Sequence, residues 1–176
     1  MSTMKALVMK GDKQAGVVSD RPLPKLRPGY VLVKVAAVAL NPTDWKHIAG
    51  LNQPGLLSGC DFAGTVEKTG TEYSKDWKEG DRISGMAHGG NKLQPEDGAF
   101  AEHIVAKADV AWRLPQSMSF EEGATLGVGI LTVGQGLFQT LKLDLPTDEA
   151  PKKDEYVLVY GGSTATGALG LQFLKL

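Results

Sequence analysis

The stretch VYGGSTATGALGLQFLKL, Val159–Leu176, decides the fold. A short apolar run precedes Gly161-Gly162-Ser163-Thr164-Ala165-Thr166-Gly167, and an apolar segment of helical character follows. Strand, glycine-rich turn and helix form the opening unit of a doubly wound, dinucleotide-binding sheet. Small residues let the backbone approach a pyrophosphate, and the helix N-terminus offers it unpaired N–H groups and a positive dipole end. Gly161, Gly162, Ser163, Thr164, Ala165 and Thr166 are the expected phosphate-binding residues, with the three hydroxyls as added donors. The turn is not a strict G-x-G-x-x-G, and an ordinary strand-to-helix turn with a Ser/Thr N-cap reads the same way. The residue about twenty positions further on that separates NAD from NADP would lie past Leu176.

Working back from this turn, the chain changes character at Pro115. From Met4 to Leu114 it shows short β runs bounded by glycine: Met4–Met9, Tyr30–Leu40, and the stretches GCDFAGTVEKTG, GDRISGMAH and GAFAEHIVAK. Strands at this spacing predict a barrel or sandwich. Tyr30–Leu40 is long and β-branched, and reads as a central strand buried on much of both faces. RPLPKLRPG, with three prolines, cannot be a central strand. Past Pro115, Ser119 and Glu122 stand at the N-cap and N3 positions of a capping box. GVGILTVGQGLFQTL then carries apolar residues at helical spacing despite its four glycines, and KLDLPTDEAPKKDE reads as a charged linker. Tyr156–Tyr160 has the apolar character of a buried parallel strand, but is expected to have no parallel neighbour in this chain, and isolated strands of this length are marginal. The expected organisation is residues 1–125 as the β domain, 126–155 as a helix and linker, and 156–176 as the start of an α/β domain.

Composition narrows the function classes. The 176 residues are 42% hydrophobic and 22% charged with a net charge of −1, so no basic stripe invites nucleic acid or an anionic membrane. No apolar run approaches the ~18 residues of a membrane span, and the N-terminus lacks a signal-peptide core. A cytoplasmic protein is the default. The lone cysteine, Cys60, rules out an internal disulfide.

Several motifs now coincide in order: ALNPTDWKHIAG, GCDFAGTV, EGDRISGMAHGGN, GAFAEHIV, EEGATLGVGILTVGQGL and VLVYGGSTATG. Together they resemble the medium-chain dehydrogenase/reductase superfamily, and most of all its zinc-free fungal branch of trans-acting enoyl reductases. The resemblance implies a mixed β and α/β architecture, a GroES-like β-barrel followed by the first βα unit of a truncated Rossmann domain. It also implies NADP(H) as cofactor, a small-molecule or carrier-protein-bound enoyl thioester as substrate, and a polyketide synthase as partner. Zinc-dependent members place a cysteine and a GHE histidine where this chain has Asn41-Pro42 and Gly59-Cys60-Asp61. His47, His88 and His103 show no ligand spacing, and no metal is expected. Hydride addition to an activated alkene yields an enolate that donors can hold and a proton can quench, which suits a zinc-free site.

The resemblance singles out further residues. Lys46, Thr132 and Asn41 are the expected catalytic set, and Thr43, Asp44, Trp45 and Lys46 the expected cofactor contacts after the long strand. Asp44 also reads as a helix cap and Trp45 as packing. Lys46 could bind phosphate or ribose, donate a proton if burial lowered its pKa, or be a solvated helix lysine. Gly127, Thr132, Val133 and Gly134 are expected to meet substrate, although tight helix packing would account for the glycines equally. Thr132 could instead bond back to its own turn. Cys60 reads as a small buried hydrophobe and Asp61 as a structural or supporting residue. Three parent activities stay open: an enoyl reductase cut just inside its cofactor domain, a zinc-free quinone reductase, and a non-catalytic interaction domain.

Overall fold

The computed structural model describes residues 2–51, 53–147 and 156–176. They fall into two compact units, one running to Val128 and the other covering Gly129–Leu176.

The first unit is built on strands β1 (Thr3–Gly11), β2 (Gln14–Pro22), β3 (Tyr30–Ala39), β4 (Asp61–Thr69), β5 (Arg82–Met86), β6 (His103–Lys107) and β7 (Ala111–Arg113). Five of them form an antiparallel sheet in the order β6-β3-β4-β5-β7, while β1 and β2 pair as a hairpin. Backbone bonds from Leu7 to Phe100 and from Met9 to Leu56 tie the hairpin to the rest. The core gathers Val31, Val33, Phe62, Val66, Ile83 and Ile104 from the inner face, and Trp77 closes it with its indole N–H donated to the Ala108 carbonyl. As expected, β3 is flanked on both sides, but only Val31–Val33 are continuously buried; from Lys34 on the strand alternates between exposed and half-buried. That is the pattern of a sheet solvated on one face.

β2 has no counterpart in the sequence reading. It pairs with β1 through a two-residue turn in which Asp12 and Lys13 both hold positive φ, 50° and 59°. This is the conformation that hairpins usually entrust to Asn-Gly, so the turn carries no glycine signal at its centre.

Helix α1 (Pro42–Leu51) follows β3, and the short α2 (Phe120–Ala124) starts at the expected capping box. Ser119 Oγ accepts from the Glu122 N–H, and the Glu122 carboxylate accepts from the Ser119 N–H at 2.8 Å. Helix α3 (Gly127–Gly134) then runs across the boundary between units and continues as a π-helical turn over Gln135–Thr140. Helix α4 (Ala165–Phe173) follows the glycine-rich turn. Of the expected linker, residues 148–155 lie outside the described residues. Tyr156–Tyr160 is not a strand: no described segment pairs with it, and Tyr156, Leu158 and Tyr160 are fully or almost fully exposed. A strand exists only by pairing, so apolar character alone does not make one. Among the described residues no helix is long and apolar enough to cross a membrane.

Candidate functional site

The expected site residues fall into two groups, one in each unit. In the first unit, β3 ends at Ala39, and Asn41-Pro42 turns the chain into α1. Proline at the first helical position has no N–H to lose and a preset φ, so the turn is well placed to start a helix. Asp44, three residues past Asn41, accepts the Asn41 N–H at 2.7 Å, which makes it the helix cap. Asp44 is buried, while Thr43 is half-buried and Trp45 and Lys46 are exposed. The Lys46 ammonium lies 5.7 Å from the centre of the Trp45 ring, and Thr43 Oγ1 is 3.2 Å from His47 Nε2. The Thr43–His47 pair was not singled out from the sequence, although their i, i+4 spacing on a helix is the signal for it.

Behind this turn sits a carboxylate cluster. Asp61, at the start of β4, is 1% exposed. Its Oδ2 accepts from the Asn41 side-chain amide at 2.8 Å, and its Oδ1 accepts from the Val128 N–H at 2.7 Å, in the first turn of α3. Burial pushes the Asp61 carboxyl up to about 6; its two hydrogen bonds pull the other way, and the neighbouring Asp44 carboxylate adds to the rise. Cys60 is pushed up to about 12, again by burial first and then by Asp44, so the thiol is neutral and unreactive. Asp44 Oδ1 is buried with no hydrogen-bond partner among the described residues.

This cluster accounts for one of the four glycines. A Cβ on Gly127 would stand 2.3 Å from Asp61 Oδ1 and 2.6 Å from the Gly85 carbonyl oxygen, so only glycine lets α3 start this close to Asp61. In the second unit a Cβ on Gly129 would meet the Leu169 side chain of α4 at 2.5 Å, while Gly134 and Gly136 face open space. Close packing thus leaves no room for a side chain at Gly127 or Gly129.

The Asp61 shift has a measurable sign. Its folded value lies above the ordinary carboxyl value, so the group's contribution to stability is full below about 4 and is lost as pH rises through about 6. Two pH units correspond to about 2–3 kcal/mol at most. Denaturant titrations of the native chain at pH 5 and pH 7 should therefore show a fall that Asp61→Asn, which cannot ionise, largely removes. An equal fall in both proteins would assign the pH dependence elsewhere.

In the second unit the structure brings Thr132 and Val133 together with Thr164 and Thr166 around one cavity of about 490 Å³, which Leu137 and Leu141 also line. Gly161, with φ of +87°, lets the chain reverse after Tyr160, and Thr164 caps α4 by accepting from the Gly167 N–H. The Thr164 hydroxyl also donates to the Gly161 carbonyl, so it is engaged within the turn itself. Ser163, Ala165 and Thr166 are exposed. The turn leaves the N–H groups of Ala165 and Thr166 as first-turn donors, with the Ser163 and Thr166 hydroxyls beside them. An exposed helix N-terminus behind glycines is the donor set a pyrophosphate needs, and the residues present fit that group.

Comparison with known proteins places the chain in a family. The chain is 53% identical to a trans-enoyl reductase of Aspergillus sclerotiorum over 98% of this chain and 51% of that protein. It is also 53% identical to a trans-enoyl reductase of Cochliobolus carbonum, over 100% of this chain and 59% of that protein. The chain thus spans somewhat more than half the length of these relatives. Among solved structures it resembles the quinone oxidoreductase of Coxiella burnetii, with a TM-score of 0.75 and 29% identity over 99% of this chain and 54% of that one. Residues 27–116, from the segment before β3 to the loop before α2, match the alcohol dehydrogenase GroES-like domain, and the chain belongs to that family.

Proposed function

We propose that these residues form the substrate-binding barrel and the first nucleotide-binding turn of an NADPH-dependent, zinc-independent enoyl reductase. The reaction is reduction of the C=C bond of an α,β-unsaturated thioester, carried by an acyl carrier domain of a polyketide synthase. The observation that carries this reading is the 53% identity to two trans-enoyl reductases along essentially the whole chain. When bound, NADPH supplies the hydride that adds to the β-carbon. The exposed donors of the Ser163–Thr166 turn hold the pyrophosphate. Thr132 and Lys46 orient the thioester carbonyl or the cofactor and place a hydrogen bond where enolate charge develops, the step at which donors count most. Solvent or a nearby donor then delivers the proton to the α-carbon.

The test is NADPH consumption by protein expressed from the complete gene, offered an enoyl thioester and, separately, a quinone. Thioester turnover supports the reading, and Lys46→Ala should then lower kcat/KM by about tenfold or more. An unchanged Lys46→Ala enzyme would remove that lysine from the site. Quinone turnover without thioester turnover would favour the second reading, which rests on the likeness to the Coxiella burnetii quinone oxidoreductase.

A further inference from the structure

Asn41 occupies the position before Pro42 where a helix-capping side chain normally turns its oxygen onto the N–H groups of the first turn. It does not do so here. Its Nδ2 is drawn to Asp61 Oδ2 at 2.8 Å, and its Oδ1 accepts no hydrogen bond among the described residues. The capping role passes to Asp44, which takes the Asn41 N–H. An ionised carboxylate has only acceptors, whereas a carboxamide has a donor end and an acceptor end. Asp61 therefore dictates which end of Asn41 faces it. With the NH₂ group held inward, the oxygen is the end left over.

We propose that Asp61 is a positioning residue that fixes the polarity of the Asn41 carboxamide, so that Asn41 Oδ1 serves as a hydrogen-bond acceptor for an amide N–H or hydroxyl of the bound nicotinamide cofactor. This rests on the reductase reading above and sharpens it in one respect. An acceptor cannot stabilise an enolate oxygen, so Asn41 orients a ligand donor and is not part of the oxyanion-holding set. Asp61 is itself held firmly in place. It is buried, its other oxygen is engaged by the Val128 N–H, and Gly127 packs against it. The ionisable groups facing Asp61 are the Asp44 carboxylate and the neutral Cys60 thiol, both from the same cluster.

Asp61→Asn is the informative substitution, because it preserves shape. Its Oδ1 can keep the Val128 N–H, and its new NH₂ group can donate to Asn41 only if Asn41 turns over. The fold is retained and the polarity of Asn41 is reversed. Two measurements follow. In the native chain the side-chain amide resonances of Asn41, read by ¹⁵N NMR, should move with a midpoint near pH 6 and be insensitive to pH in Asp61→Asn. In protein from the complete gene, fluorescence titration with NADPH should give a Kd raised by about tenfold or more in Asp61→Asn and in Asn41→Ala, with no further rise in the double variant. Asn41 resonances that ignore the Asp61 titration overturn the proposal, as do single variants with native Kd or losses that multiply in the double variant. Failure of the reductase reading looks different: NADPH binds and responds to these variants, yet no thioester is reduced.

Discussion

Phe62→Ala is expected to destabilise the first unit by roughly 3–5 kcal/mol, the range for truncating a fully buried aromatic. Phe62 is fully buried near the start of β4, one residue past Asp61, and packs among Val31, Val33, Ile83 and Ile104. Those neighbours sit on paired strands whose backbone ladders fix their spacing, so they cannot collapse into the space left by the ring. A loss this large is a substantial fraction of the about 5–15 kcal/mol by which ordinary domains are stable. Equilibrium denaturation by urea should show a lower midpoint with an unchanged slope, and a midpoint within error of native would mean that the core had repacked. The conservative Phe62→Leu should recover a large part of the loss.

The second large effect is at the carboxylate next door. Asp61→Ala strips the acceptor from two buried or half-buried donors, the Asn41 amide and the Val128 N–H. Each unsatisfied donor costs about 1–3 kcal/mol, so a loss of roughly 3 kcal/mol is expected at pH 5. At pH 7 the loss should be smaller, because the substitution also removes a carboxylate that burial disfavours in its ionised form. Asp61→Asn, by contrast, should be close to neutral at pH 5 and more stable than native at pH 7, where the native carboxylate is ionised. Urea midpoints for both variants at both pH values would separate hydrogen bonding from charge; equal losses in alanine and asparagine variants would show that charge is what matters.

Much of the architecture was legible because local chemistry and tertiary structure agree. Ser119 and Glu122 announce α2, Asn41-Pro42 announces α1, and the glycine-bounded β runs become β3, β4, β5 and β6. The miss at β2 has one cause, which is that pairing is not written in a strand's own residues. β2 reads as polar chain until β1 lies beside it, whereas for Tyr156–Tyr160, apolar as it is, no neighbour is expected and none pairs with it among the described residues. The site shows the same division. Asp44 as a helix cap could be read from its spacing to Asn41. The link from Asp61 to Val128 joins residues 67 positions apart, and no local pattern reports it.

That separation has a consequence for the order of events during synthesis. Asn41 leaves the ribosome 20 residues ahead of Asp61, and Val128 follows 67 residues after it. β1 and β2 can pair as a hairpin while the nascent chain is short, but the carboxylate beside the turn after β3 waits for its second donor, the Val128 N–H. Domains fold largely as units as they emerge. A chain stalled before residue 128 thus holds most of the sheet with Asp61 buried on a single hydrogen bond, and the turn acquires its final geometry only when α3 begins.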